Sequence, residues 1–227
     1  MHKRWAILVL VLLGICTITT IAEAEPGTRV TRYFKDTNAS GFSHPSGHIF
    51  DKFMNRTEVP TGTTDYTVTL GPGERAWWYA NEAAECDLRF HTGEWKATYW
   101  ANTNSDKPHR IYVRLYVVKV DGTPNLISER WNTLKYHDSP KKKERPLPTD
   151  SPTNVNKGER IALEIQWSPN ADPGDTLTIY YNSTSYKSKL TSTSNNYPIP
   201  EFPTLALPLA IVLGIVFFLF RGKREKK

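Results

Sequence analysis

Between His109 and Val118 the chain alternates without a break, with Ile111, Val113, Leu115 and Val117 on one side and Arg110, Tyr112, Arg114 and Tyr116 on the other. Period two is the signature of a β-strand with one buried face, because successive side chains point to opposite sides. The pattern recurs. Ile161, Leu163, Ile165 and Trp167 alternate with Ala162, Glu164 and Gln166, and Cys86, Leu88 and Phe90 alternate with Glu85, Asp87 and Arg89. Further strands are predicted over residues 28–34, 64–70, 74–80, 94–100, 125–131 and 175–181, and no convincing 3.6-residue period precedes residue 204. Gly71-Pro72-Gly73, Thr92-Gly93, Asp121-Gly122, Lys157-Gly158 and Asp172-Pro173-Gly174 supply the turns. Many strands, tight turns and no crossover helices predict an all-β domain, an antiparallel β-sandwich of jelly-roll type, with a closed barrel as the alternative. Residues 36–60 and 138–157 read as irregular loops, and the Ser/Thr/Asn-rich residues 183–199 as a stalk.

The two ends are of a different kind. His2, Lys3 and Arg4 precede an apolar run over residues 6–16, and Ala22-Glu23-Ala24 gives a small-x-small cleavage site. Residues 1–24 are therefore read as a signal peptide and residues 25–182 as the β ectodomain. At the other end Pro200-Glu201-Phe202 precedes an apolar run to Phe220, and Arg221 to Lys227 form a basic tail. Residues 205–220, as a helix of about 1.5 Å per residue, span roughly 24 Å against a hydrocarbon core of roughly 30 Å. The basic tail stays cytoplasmic by the positive-inside rule, and the signal peptide independently places the ectodomain outside.

The tripeptide, the apolar helix and the basic tail in register at the chain end resemble the PEF-CTERM sorting domain of archaeal surface proteins. The resemblance covers residues 200–227: the motif 200–202, a transmembrane helix 204–220 and a cytoplasmic tail 221–227. It implies that Pro200, Glu201 and Phe202 are recognised by an archaeosortase, a membrane cysteine transpeptidase. That enzyme is expected to remove the helix and tail and to transfer the new end to a lipid anchor.

The formal charge of +6 suggests a nucleic-acid partner until it is divided. Residues 1–24 carry +1 and residues 221–227 carry +4, which leaves +1 on everything between. A near-neutral domain has no electrostatic footprint for phosphate backbones, so no nucleic acid is expected. Lys141-Lys142-Lys143-Glu144-Arg145, between Pro140 and Pro146, reads as a solvated loop, with contact to an acidic surface polymer as the other reading. Cys16 leaves with the signal, so Cys86 has no intramolecular disulfide partner. Its parity with Leu88 and Phe90 predicts a buried core thiol. Asn38, Asn55 and Asn182 each open an N-glycosylation sequon.

Known catalytic spacings are absent: there is no Gly-x-Ser-x-Gly, His-Glu-x-x-His, phosphate-binding loop or Cys-x-x-Cys. His44 and His48 are four apart, but Pro45 and Gly47 between them oppose the helix that a metal site would need. Residues 170–175 read equally as an Asp-Pro-Gly turn or as oxygen donors for Ca²⁺. No other metal or cofactor is expected.

Aromatic residues are the one enrichment. Adjacent pairs on a strand point to opposite faces, so Trp77-Trp78, Tyr99-Trp100 and Tyr180-Tyr181 cannot all point inward. Parity predicts Trp78, Tyr99 and Tyr181 inward, and Trp77, Tyr79, Trp100, Tyr112, Tyr116 and Tyr180 outward. Outward rings serve either as a platform for sugars or a partner, or as cross-strand partners of outward arginines such as Arg75, Arg110 and Arg114. The expected function is that of a non-enzymatic archaeal cell-surface protein, acting in the envelope, in adhesion or in cell contact through envelope glycans or surface-layer proteins. A carbohydrate-binding module using the outward aromatics is the alternative, and a polysaccharide-active enzyme the third reading.

Overall fold

The computed structural model describes residues 28–45, 50–58 and 64–195. Every regular element among them is a strand: β1 (Thr28–Asn38), β2 (Phe50–Asn55), β3 (Tyr66–Leu70), β4 (Arg75–Ala80), β5 (Leu88–Phe90), β6 (Gly93–Thr103) and β7 (His109–Val118). They continue as β8 (Pro124–Leu134), β9 (Lys141–Thr149), β10 (Thr153–Val155), β11 (Arg160–Trp167), β12 (Leu177–Tyr181) and β13 (Lys189–Asn195). Hydrogen bonds link them in the order β3-β12-β6-β13-β1-β2-β4-β11-β7-β8, with β9 along the other edge of β6 and β5 between β10 and β13. All pairs are antiparallel except β2 with β4. β6 shares one edge between β13, which pairs with Lys96 to Thr98, and β12, which pairs with Trp100 to Thr103.

This ladder curls back on itself. Trp78 of β4 stacks on Phe34 of β1 with centroids 4.4 Å apart, and meets Tyr181 of β12 edge-on at 5.7 Å. β4 and β12 stand five places apart along the ladder, so their side chains touch across its interior. At the far end the Asn132 amide of β8 donates to the Tyr99 hydroxyl of β6 at 3.0 Å. Trp78, Tyr99 and Tyr181 are all buried, together with Trp95, Trp167, Phe90 and Leu163. Side chains of this size contribute about 2–3 kcal/mol each when removed from water. The alternating residues Ile111, Val113, Leu115 and Val117 of β7 are buried among them.

Four expectations are corrected. Residues 138–157 are not a loop: β9 pairs with β6 over nine positions, from Gly93↔Thr149 to Ala101↔Lys141. Pro146 and Pro148 fit because β9 is an edge strand, where a missing N–H costs no ladder bond. Residues 36–60 contain β2, the parallel partner of β4. The stalk reading fails over residues 189–195, which form β13 between β1 and β6. Here Leu190, Ser192 and Thr193 are buried, and small hydroxyl residues facing a core leave no apolar alternation to read. Finally, Cys86 is exposed, because the third predicted strand begins only at Leu88 and the parity argument does not reach back to the cysteine.

Candidate functional site

The structure separates the six predicted outward aromatics into two groups on different strands: Trp77, Tyr79, Tyr112 and Tyr116 on β4 and β7, and Trp100 and Tyr180 on β6 and β12, with Tyr112, Tyr116, Trp100 and Tyr180 all half-buried. Trp77 and Tyr79 of β4 are buried: their exposures are 2% and 0%. They point away from Trp78, as parity requires, but the segment after β1 covers them. Phe42 lies edge-on to Tyr79 at 5.2 Å, and His44 lies beside the same ring at 5.6 Å. Ala39, Phe42, Phe53 and Tyr116 pack around a small second core of Trp77, Tyr79, Val118 and Ala162. Tyr116 is half-buried and stacks on Trp77 at 4.7 Å. The Tyr79 hydroxyl donates to Asp51 at 2.9 Å, and burial followed by that carboxylate pushes its pKa far up.

Charge fills the rest of this face. Arg114 of β7 bridges Glu129 of β8 to Glu164 and Gln166 of β11, and its guanidinium covers the half-buried Tyr112 ring at 5.3 Å. Glu164 is fully buried, with Arg75 3.7 Å away on its other side. Arg110 lies over Trp131 at 4.4 Å. These are the arginine–aromatic pairs expected of a self-contained sheet face, and they engage Tyr112 with Arg114 and Tyr116 with Trp77.

Trp100 and Tyr180 make the second group. They are direct cross-strand partners on β6 and β12, so their rings emerge on one face side by side. Tyr186, from the turn between β12 and β13, approaches Trp100 edge-on at 6.2 Å and Tyr180 at 5.0 Å. That turn is held by Asn182 at φ 54°, by the Tyr186 N–H donating to the Ser183 hydroxyl at 3.0 Å, and by the Ser188 hydroxyl donating to the Tyr180 carbonyl at 2.7 Å. Period two places Trp100, Thr98, Lys96 and Glu94 on the same face of β6, flanked by Lys142 and Glu144 of β9 and by Lys189 and Thr191 of β13. They line an open groove of about 360 Å³ together with Arg29 and Lys187. Lys142 lies 5.8 Å from the Trp100 ring centre, and Lys189 lies 5.7 Å from that of Tyr33. Glu144 pairs with Lys142 at 2.7 Å and with Lys96, and these two ammonium groups hold its carboxyl down at about 2. Lys187 reaches outward to Glu58 at 2.6 Å.

Tyr186, Lys187 and Lys189 are among the contributors that sequence reasoning missed, because the composition of that segment reads as a stalk. The period-two run Lys187, Lys189, Thr191 after the turn was the available signal.

The remaining candidates are dispersed. Asn38 is exposed and accepts from Lys52 at 2.7 Å, Asn55 accepts from the Thr57 N–H at 3.1 Å, and Asn182 is half-buried. In the 170–175 turn, Asp172 pairs with Lys107 at 2.5 Å and Asp175 with His109 at 3.2 Å, so each carboxylate faces a basic group. Among the described residues no three His, Cys, Asp or Glu side chains converge as a metal set. His48 lies outside the described residues. A second polar cleft of about 440 Å³ lies between Asn125, Asp150, Asn154 and Glu159 and contains no aromatic side chain. Pro200, Glu201, Phe202, the apolar run and the signal peptide also lie outside the described residues, and among those described no helix is long and apolar enough to cross a membrane.

Solved structures share this fold. The chain aligns with a CocE/NonD family hydrolase from Staphylococcus aureus at TM-score 0.53 and 10% identity, over 74% of its own length and 37% of the hydrolase. It aligns with an aminopeptidase from a marine sediment Thaumarchaeota archaeon at TM-score 0.54 and 12% identity, again over 74% of its own length and 37% of the enzyme. The chain thus spans little more than a third of either enzyme, and at such identity the likeness is one of fold alone. A solved CBM4 domain is covered over 87% of its length at 13% identity, with a TM-score of 0.33 that is too low to carry an argument. No curated protein matches the chain. One family model does, over residues 199–224. Those residues are a PEF-CTERM archaeal protein sorting domain, and the chain that carries them is a sorted, membrane-anchored protein of the archaeal cell surface.

Proposed function

We propose that this chain is a non-enzymatic cell-surface protein whose β-sandwich domain is displayed outside the cell and acts there by binding. The observation that carries the reading is the sorting domain at residues 199–224, which follows four residues after the last strand, β13. The contact of Trp78 with Tyr181 across the ladder supports the sandwich, of jelly-roll type. On this reading residues 1–24 are removed on export. An archaeosortase recognises Pro200-Glu201-Phe202, and the new end is held by a membrane lipid. Surface-layer proteins and envelope glycans are the partners within reach of such a domain. The two hydrolytic enzymes contribute a fold and nothing of their activity.

Protease treatment of intact cells tests the display. The domain should be digested from intact cells carrying the native protein. A domain protected until the cells are lysed would contradict the reading. A second reading, binding of carbohydrate, is favoured by the Trp100, Tyr180 and Tyr186 cluster beside the groove. Half-buried rings held against one another at the rim of a groove suit the apolar face of a sugar.

A further inference from the structure

The groove beside Trp100 combines two features that a neutral sugar site does not need together. One is the ring platform, in which Trp100 and Tyr180 are cross-strand neighbours and Tyr186 stands against both. The other is charge. Five cations, Arg29, Lys96, Lys142, Lys187 and Lys189, line the groove against two carboxylates, Glu94 and Glu144. The domain as a whole is close to neutral, so this concentration is local.

Register fixes how the charges lie about the ring. Lys142 is directly opposite Trp100 on β9, while Lys189 on β13 is opposite Thr98, one side-chain repeat along β6. Strands lie about 4.8 Å apart and same-face residues about 6.7 Å apart along a strand. Ammonium groups therefore flank the platform on both sides within the width of one sugar unit or two. Glu144 neutralises part of Lys142 and Lys96, since it stays ionised down to about pH 2. Arg29 and Lys189 lie on the opposite side, where Lys189 also acts at a distance on the Glu58 carboxylate that Lys187 holds. The groove volume of about 360 Å³ lies within the range of ligand sites and takes a short stretch of polymer.

We propose that this groove binds an anionic polysaccharide, a chain of sugars bearing carboxylate or sulfate groups, which stacks a ring on Trp100 and sets its charges against Lys142 on one side and Lys189 and Arg29 on the other. The proposal rests on the carbohydrate reading and adds the charge of the ligand. A polymer of this kind is bound by stacking, which salt leaves nearly unchanged, and by exposed ion pairs, which salt screens. Both terms are therefore separable by experiment.

The test uses the full chain in a non-ionic detergent, with immobilised polygalacturonate, dextran sulfate, neutral galactan, polyglutamate and phosphatidylglycerol vesicles as probes. Retention on polygalacturonate or dextran sulfate is expected, falling at least tenfold between 50 and 500 mM NaCl. Which of these two is retained more strongly assigns carboxylate or sulfate. Trp100→Ala should weaken binding about tenfold, Trp100→Phe should keep most of it, and Lys142→Gln with Lys189→Gln should remove most of the salt-dependent part, Arg29 carrying the remainder. Near-UV circular dichroism verifies that each variant is folded. Equal retention on neutral galactan, with the same dependence on Trp100, would overturn the anionic inference and leave the carbohydrate reading standing. Equal retention on polyglutamate would overturn the role of the sugar ring, and equal binding to vesicles would assign the groove to lipid headgroups. Retention on no probe would overturn the proposal and the carbohydrate reading together.

Discussion

Phe42 meets Tyr79 edge-on with ring centroids 5.2 Å apart, and this contact turns the outer side of β4 into interior. By alternation alone Tyr79 belongs outside, on the face opposite Trp78. The chain after β1 returns over it, and Trp77, Tyr79, Val118 and Ala162 become a second core behind the first. Phe42→Ala should therefore do more than remove a surface ring. It should cost about 2 kcal/mol, below the range of a fully buried Phe because Phe42 is only half-buried. Urea unfolding should show the lowered midpoint, and tryptophan fluorescence should shift to the red as water reaches Trp77. An unchanged midpoint and spectrum would mean that the segment is not packed there.

The same segment is held from beyond by a glycine. Gly122 has φ +87°, and a Cβ there would stand 3.0 Å from the His44 nitrogen and 3.1 Å from the Ser43 carbonyl carbon, both backbone atoms. Gly174 has a similar φ, +93°, and open space around it. Both Ala variants pay the left-handed backbone cost of roughly 1 kcal/mol. Gly122→Ala should cost about 1–2 kcal/mol more, because backbone must move. Thermal unfolding of the two variants isolates the contact, and equal losses would contradict it.

Glu164 depends on Arg114. The carboxylate is fully buried, and Arg114 is its closest cation, with Arg75 at 3.7 Å. Arg114→Leu strands a buried charge and should cost about 3–5 kcal/mol. Adding Glu164→Gln to it should recover a good part of the loss. Glu129→Ala, at the exposed side of the same arginine, should cost less than about 1 kcal/mol. Chemical denaturation of the three variants gives the comparison, and an Arg114→Leu loss no greater than that of Glu129→Ala would contradict the assignment.

How far could this have been read in advance? The strands with large β-branched or aromatic residues on one face were legible, because alternation is a direct record of burial in β7, while in β11 it marks only which side carries the apolar residues, both sides being buried. Strands that face the core with small hydroxyls were not. Ser192 and Thr193 of β13 are buried, yet serine and threonine carry the same composition in a stalk. β9 was hidden by its lysines and prolines, which an edge strand accommodates and a central strand does not. For the site, parity put Trp100 and Tyr180 in one outward set without pairing them, which the register of β6 and β12 does, and it could not foresee that a loop covers Trp77 and Tyr79. Alternation tells which face a residue is on, not what lies over that face.

Buried tyrosines set an alkaline limit on stability. Burial, and for Tyr79 and Tyr181 the adjacent Asp51 and Asp36 carboxylates, raise the pKa of Tyr79, Tyr99 and Tyr181, while Tyr116 is raised to about 12 by burial and then by the charge of Glu164. Free tyrosine ionises near pH 10. Above that pH the unfolded chain has released protons that the folded chain still holds. The stabilisation is therefore fully present below about pH 10 and is lost as pH rises through 12. Denaturation midpoints should fall steeply above pH 10, with part of the phenolate absorbance appearing only on unfolding. A midpoint flat to pH 12 would contradict the burial of these four rings.

The central claim is that the C-terminal segment is a sorting signal rather than a permanent anchor. Mass spectrometry of the C-terminal peptide of the native protein, isolated from cell envelopes, tests it most directly. The account predicts a mature chain that ends near Pro200-Glu201-Phe202, lacks residues 221–227 and carries a lipid at its new end, with Glu201→Ala leaving the tail attached. A native chain that still ends in Lys227 would contradict it.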